Sequence, residues 1–305
     1  MPDLPIVHHP DYEAADFPPS HRFPMAKFRH LPEVLMLEGL AAPGTFLLPE
    51  PAPREALCRV HDVTYVDAVR AGAVPKPVER AIGLPMTPSV GLRGATATGG
   101  TMLAAQLAME RGIACNTAGG SHHAGRAHGA GFCVFNDVAV AAADLLARHI
   151  AGHILIFDCD VHQGDGTADI FRDEPRVVTV SMHGANNYPA QKQASVLDVP
   201  LPDAMGDDSY MRVLQETLRA ADQLGPYDIV FYNAGVDPHV EDVLGRLSLT
   251  DNGLALRDHL VIDHFRTRNV PVCGVIGGGY MKDHLAVASR HAILHRVAAR
   301  YLQKA

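Results

Sequence analysis

The chain has 305 residues, 47% hydrophobic and 20% charged, which excludes wholesale disorder and leaves ample apolar surface for a large core. Its 26 basic and 34 acidic residues give a net charge of −8, which argues against broad nucleic-acid or anionic-membrane binding but leaves a basic peptide or a polyamine open as substrate. No apolar run approaches the roughly 20 residues of a spanning helix, and no basic segment leading into an apolar one marks a secretory leader. The five cysteines (Cys58, Cys115, Cys133, Cys159, Cys273) are odd in number and sit mostly in apolar contexts, so a cytoplasmic protein with reduced thiols is expected.

Residues 1–60 are rich in proline, which fixes φ and removes donors, so they predict a loop-rich segment with short elements, wrapping the remainder rather than forming a separate domain. A second proline-rich stretch, 74–91, reads as a long loop. Strands are then predicted at 113–117, 153–158, 176–182, 227–233 and 270–276, from short β-branched runs apolar on both faces. Amphipathic helices are predicted at 135–148, 207–224, 250–268 and 283–302; in the last, Leu285, Ala288, Ile293, Val297 and Leu302 recur at helical spacing. The alternation implies an α/β fold, a single domain over 1–305 with a mostly parallel central sheet and helices on both faces.

Ligand sites in such sheets lie at the carboxyl ends of the strands. There the sequence delivers AGGSHHAGRAHGAGFC, CDVHQGDGT, HGANNYP, AGVDPHVED and GGGYMKD, five consecutive clusters of His, Asp or Tyr with glycine. Asp160 and His162, two apart in an extended segment, aim at one point, with Cys159 turned to the core. Asp237 after the 227–233 strand supplies a third ligand, and three ligands with an open position is the logic of catalytic zinc, although the carboxylates also suit iron or manganese.

The tandem His122-His123 needs carboxylate partners to fix its tautomers, and Asp158 and Asp165 are the candidates. Such a pair can take a proton from a metal-activated water and return one to a departing amine. Tyr280, carried in by Gly277-Gly278-Gly279, can donate to the anion of a tetrahedral intermediate or can simply pack. Gly131 and Phe132, with Tyr188 and Leu244, form candidate walls of a narrow apolar channel. His128 is assigned no role. No nucleophile elbow is present, and Cys133 lacks an activating environment.

These motifs resemble the zinc-dependent histone deacetylase and acetylpolyamine amidohydrolase family: GGSHHAGRAHGAGFCVFND (119–137), DCDVHQGDGTADIF (158–171), VSMH (180–183), NAGVDPHVEDVLGRLSLT (233–250) and GGGY (277–280) occur in the family's order. HRFPMAKF (21–28) is similar to the class IV branch and its bacterial relatives. The resemblance implies an arginase-like fold with about eight strands. It implies zinc on Asp160, His162 and Asp237, with iron(II) as a substitute. It also implies an acid/base pair His122 and His123 backed by Asp158 and Asp165, and carbonyl polarisation by Tyr280. Phe132, Tyr188, Leu244, Gly131 and Gly278 would line the substrate channel. A potassium ion would involve Asp158, Asp160, His162, Ser181 and Met182, and a second monovalent site the backbone near Phe171 and Val177. Two departures stand out: the 83–91 loop offers no acidic residue at the rim, and His239 has no evident counterpart.

The function expected is metal-dependent hydrolysis of an acyl, most simply acetyl, group from the Nε-amine of lysine in a protein or peptide. An acetylpolyamine amidohydrolase, a long-chain fatty-acyl-lysine hydrolase and a non-catalytic acyl-lysine binder are the alternatives. An arginase-type dinuclear manganese enzyme lacks its second set of bridging ligands. No direct nucleic-acid or membrane partner is expected, and the oligomeric state is left open.

Overall fold

In the computed structural model, residues 4–302 are described; the ends of the expected 1–305 domain lie outside them. Seven strands are present among these residues: β1 (Ile6–Val7), β2 (Ile113–Asn116), β3 (Ile154–Asp158), β4 (Val177–Gly184), β5 (Leu197–Leu201), β6 (Ile229–Asn233) and β7 (Val272–Val275). They form one sheet in the order β1-β2-β7-β6-β3-β4-β5, parallel throughout. All five predicted strands are in it, with ends within two residues of the expected ones. The resemblance implied about eight strands; seven are seen here.

The strands β2, β3, β6 and β7 are buried along their whole length, as their two-sided apolar sequence requires. β5 carries Pro200, which a sheet tolerates at its edge, where β5 lies. Helices α5 (Pro88–Arg111), α6 (Asp137–Ala147) and α7 (Asp165–Phe171) pack in one layer. Helices α8 (Asp207–Asp222), α9 (Asp251–Arg266) and α10 (His284–Ala298) pack in another, with α1 (Lys27–Leu37) against α10.

The proline-rich segment is loop-rich with short elements, as expected, except that one of them is a helix of three turns. Besides β1, it holds α1 and the short α2 (Arg54–Leu57), followed by α3 (Val63–Arg70). The stretch 74–91 is not a long loop. It contains α4 (Lys76–Ile82), with Pro77 in its first turn, and the start of α5, where Thr87 accepts a hydrogen bond from the Val90 N–H and Pro88 follows. These prolines begin helices, a position in which the missing N–H costs nothing.

Helix α5 itself escaped prediction because its sequence, PSVGLRGATATGGTMLAAQLAMER, is dense in helix-weak glycine and threonine. Tertiary contact explains the glycines. A β-carbon on Gly99 would sit 1.9 Å from the Glu50 carbonyl oxygen, and one on Gly100 would sit 1.9 Å from the Tyr12 hydroxyl. The N-terminal segment thus lies directly on the helix backbone, in contact only glycine permits.

Candidate active site

The carboxyl ends of β2, β3, β6 and β7 bring the motif loops together. Asp158 ends β3, and its Oδ1 accepts from the Asp160 N–H at 3.0 Å and from Asn233 Nδ2 at 2.9 Å. Asp160 Oδ1 in turn accepts from the His162 N–H at 3.0 Å, so alternate residues of the DxDxH segment are stapled to one another. Asp237 Oδ1 accepts from the Val161 N–H at 2.8 Å, and Asp160 Oδ2 accepts from the Gly278 N–H at 2.7 Å. Three separate chain segments are therefore pinned onto the same two carboxylates.

Asp160, His162 and Asp237 are all buried and offer ligand atoms within 4.8 Å of one another. His162 Nδ1 lies 3.1 Å from Asp160 Oδ1 and 3.0 Å from Asp237 Oδ2. Burial opposes a charge on His162, yet the two carboxylates prevail and raise it to about 10. Burial and the neighbouring Asp160 charge push the Asp237 carboxyl up. Two sequestered acids repel one another, and a cation at their common focus relieves both. An O, N, O donor set fits a divalent ion such as zinc, with coordination positions left for other oxygens.

Beside this cluster stand the paired histidines. His122 Nδ1 donates to Asp158 Oδ2 at 2.6 Å, and His123 Nδ1 donates to Asp165 Oδ1 at 2.6 Å. The two Nε2 atoms face one another at 3.1 Å. Burial works against charge on both rings. The Asp158 and Asp160 carboxylates overcome it at His122, raising it to about 9, whereas burial and the His122 charge push His123 down to about 4.

From this centre a cleft of about 360 Å³ opens to solvent past His123, His162 and Tyr280, with Gly131, Phe132, Tyr188 and Leu244 in its walls. The His123 and Tyr188 rings meet edge to face at 4.8 Å, and Phe132 lies 5.7 Å from Tyr280. Phe132 holds its place at φ 67°, a left-handed conformation unusual for an aromatic residue. Leu244 is fixed through its carbonyl, which accepts from Asn187 Nδ2 at 2.8 Å. Gly278 is not a wall of this cleft. It lies deeper, lining an inner cavity of about 30 Å³, because its backbone abuts the carboxylates: a β-carbon there would sit 2.1 Å from Asp237 Oδ2 and 2.7 Å from Asp160 Oδ2.

Ser181 lies beside Asp158 in the β3–β4 register, with its Oγ 3.0 Å from His183 Nδ1, and Met182 is buried next to it. Phe171 ends α7 and Val177 begins β4. His128 is exposed, and His239 has a local duty: its Nδ1 accepts from the Glu241 N–H at 3.1 Å and its Nε2 faces Asp251 at 3.3 Å. Burial pushes the Cys133 thiol up, away from nucleophilic chemistry.

Several supporting residues were assigned no role from the sequence. Asp137 Oδ1 and Oδ2 accept from the Ser121 and Gly120 N–H groups at 2.8 and 3.2 Å, holding the loop that leads into the histidine pair. His61 Nδ1 donates to the Gly125 carbonyl at 2.8 Å while its Nε2 accepts from the Asn136 N–H at 3.0 Å. Lys27, fully buried on α1, donates to the Gly277 carbonyl at 3.2 Å, and burial and the Arg93 charge bring it down to about 8. The buried Arg257 donates to the Gly235 carbonyl at 2.6 Å and to those of Cys159 and Ala234 at 3.3 Å, tying β3 to β6 just before the ligand carboxylates. Only Asp137, at the mouth of a helix after a Gly-rich loop, could have been suspected from sequence.

The histone deacetylase domain family matches residues 21–296. The chain is 48% identical to an uncharacterized protein of Picosynechococcus over 97% of this chain and 98% of that one. It is 30% identical to histone deacetylase 2 of Arabidopsis thaliana (88% and 71% covered) and 31% identical to acetoin utilization protein AcuC of Bacillus subtilis (83% and 70%). A histone deacetylase homologue from Aquifex aeolicus superposes with a TM-score of 0.78 at 23% identity, covering 97% of this chain and 84% of that one.

Proposed function

Because this chain belongs to the histone deacetylase family, a family of deacetylase hydrolases, we propose that it removes a short acyl group, most simply acetyl, from the Nε-amine of lysine, using zinc. One observation carries the reading: a buried Asp160–His162–Asp237 focus adjoins a carboxylate-backed histidine pair at the base of one open cleft. When bound, zinc supplies Lewis-acid polarisation of an amide carbonyl and acidifies water.

The protein's own groups supply the remaining chemistry. His123 borders the cleft and accepts a proton from the attacking water, then returns it to the leaving amine. His122, held protonated by Asp158, shares its Nε2 hydrogen with His123 and steadies that exchange. Asp165 fixes the tautomer that puts the acceptor lone pair on His123 Nε2, which takes the water proton once it is released from the His122 hydrogen. The Tyr280 hydroxyl, its acidity suppressed by burial and the nearby carboxylates, stays a donor to the developing oxygen anion. Phe132 and Tyr188 flank the lysine methylenes.

Beyond the focus, the inner cavity of about 30 Å³ has room for a water or two, which favours acetyl over a long fatty acyl chain. A potassium ion near Asp158 and Ser181 remains part of the reading as a structural ion. Five unpaired cysteines fit a cytoplasmic setting, and no helix of the described residues is long and apolar enough to cross a membrane. The test is steady-state hydrolysis of acetyl-, butyryl- and myristoyl-lysine peptides by protein assayed for zinc by elemental analysis. Turnover ranked acetyl first supports the reading; no turnover by zinc-loaded protein overturns it.

A further inference from the structure

Resting on the acyl-lysine reading above, we propose that the mouth of the cleft selects acylated lysines flanked by acidic residues and rejects cationic polyamine amides. Three arginines, Arg22, Arg80 and Arg246, line the cleft, and no aspartate or glutamate is among its lining residues. In a chain of net charge −8, such a cluster runs against the overall balance.

Little within the protein neutralises these charges. Arg22 is exposed, has no carboxylate partner among the described residues, and stacks its guanidinium 5.0 Å above the Phe132 ring, at the channel wall. Arg80 is exposed and, among the described residues, donates only to the Lys76 carbonyl, at 3.3 Å. Arg246 faces Asp203 at 3.4 Å, but both side chains are largely exposed, and such a pair gives way readily to a better anion.

An acyl-lysine side chain inserted to the base of the cleft leaves its backbone at the mouth. Residues one to three positions away then lie within about 10 Å of the insertion point, a distance over which charges interact at physiological salt. Flanking carboxylates meet guanidinium groups there, and arginine pairs with carboxylates bidentately. A polyamine amide instead brings ammonium groups among like charges, where the neighbouring Asp203 is already engaged by Arg246 and Asn186. Guanidinium keeps its charge at any working pH, so the selection is fixed rather than switchable.

The experiment compares kcat/KM for acetyl-lysine peptides with acidic, neutral and basic flanks, and for an N-acetylated polyamine, at low and high ionic strength. It also measures binding of the same labelled peptides by fluorescence anisotropy. The expected result is a preference of about tenfold for acidic over basic flanks at low salt, carried by KM and shrinking as salt rises. Arg80→Glu should narrow or invert the preference, and the triple change Arg22→Gln, Arg80→Gln, Arg246→Gln should abolish it. Equal treatment of acidic and basic peptides, or the polyamine as best substrate, overturns the inference while leaving hydrolase activity standing. Absence of turnover on every peptide sinks the hydrolase reading instead, and the anisotropy ranking still decides the inference: tighter binding of acidic flanks supports it, equal binding overturns it.

Discussion

His122 and His123 meet Nε2 to Nε2 at 3.1 Å, each with its Nδ1 held by a different aspartate, Asp158 and Asp165. With both Nδ1 positions donating, the short approach requires one proton between the two Nε2 atoms. The carboxylates around His122 keep that proton there, and the neutral His123 accepts from it. The pair is therefore one hydrogen-bonded unit with an asymmetric charge.

If the two rings act as a unit, their losses do not add. His123→Ala should lower kcat by about 10²–10⁴. His122→Ala should lower it comparably, and the double variant little further than the worse single one. A double-mutant cycle on kcat measures this; losses that multiply would show two independent groups.

Tyr280→Phe removes the phenol without changing the ring that packs near Phe132 and His162. As an oxyanion donor, Tyr280 should be worth about 10²–10³ in kcat, with KM nearly unchanged. Turnover at the parental rate in this variant would remove Tyr280 from the mechanism.

Gly278→Ala tests the metal reading without replacing a ligand. The new β-carbon overlaps Asp237 Oδ2 and crowds Asp160 Oδ2, so both carboxylates must shift. Zinc affinity should fall about 10–100-fold, measured by chelator competition. Undiminished affinity would mean that these two carboxylates do not hold the ion.

His61 makes stability fall in acid. Its Nε2 is committed as an acceptor from the Asn136 N–H, so the folded ring must stay neutral, and burial lowers its pKa to about 4 from an ordinary value of 6.5. Above pH 6.5 neither state binds the proton, and the full stability is present. Between pH 6.5 and 4 the unfolded chain binds it and the folded chain does not, so stability declines as pH drops, by about 1.4 kcal/mol per pH unit for each such group. Half-buried His8 and buried His295, also lowered to about 4, push the same way. Urea titrations at pH 7.5 and 5 should show the decline, and His61→Gln, which can keep both hydrogen bonds, should lessen it; an equal slope in the variant would count against the assignment.

Much of the sheet could be read directly because its strands are buried on both faces, and a continuous apolar run such as ILIFD leaves few other readings. The elements that went unread owe their form to partners. β1 is two residues long and exists because it pairs with β2. Helix α5 overrides poor local propensity because its glycines are contact surfaces. The proline-rich 74–91 stretch misled because proline starts a helix as readily as it ends one.

The sequence alone determined which side chains gather at the strand ends: residue type and a spacing of two place Asp158, Asp160 and His162 in one segment, and a tandem pair makes neighbours of His122 and His123. It could not determine how charge is shared among them. That depends on burial and on distances between segments far apart in the chain, such as the 3.0 Å between His162 and Asp237 and the arginines that α4 and two loops bring to one mouth. Electrostatic energy depends on separation in space and on exclusion of water, and only the folded chain sets either.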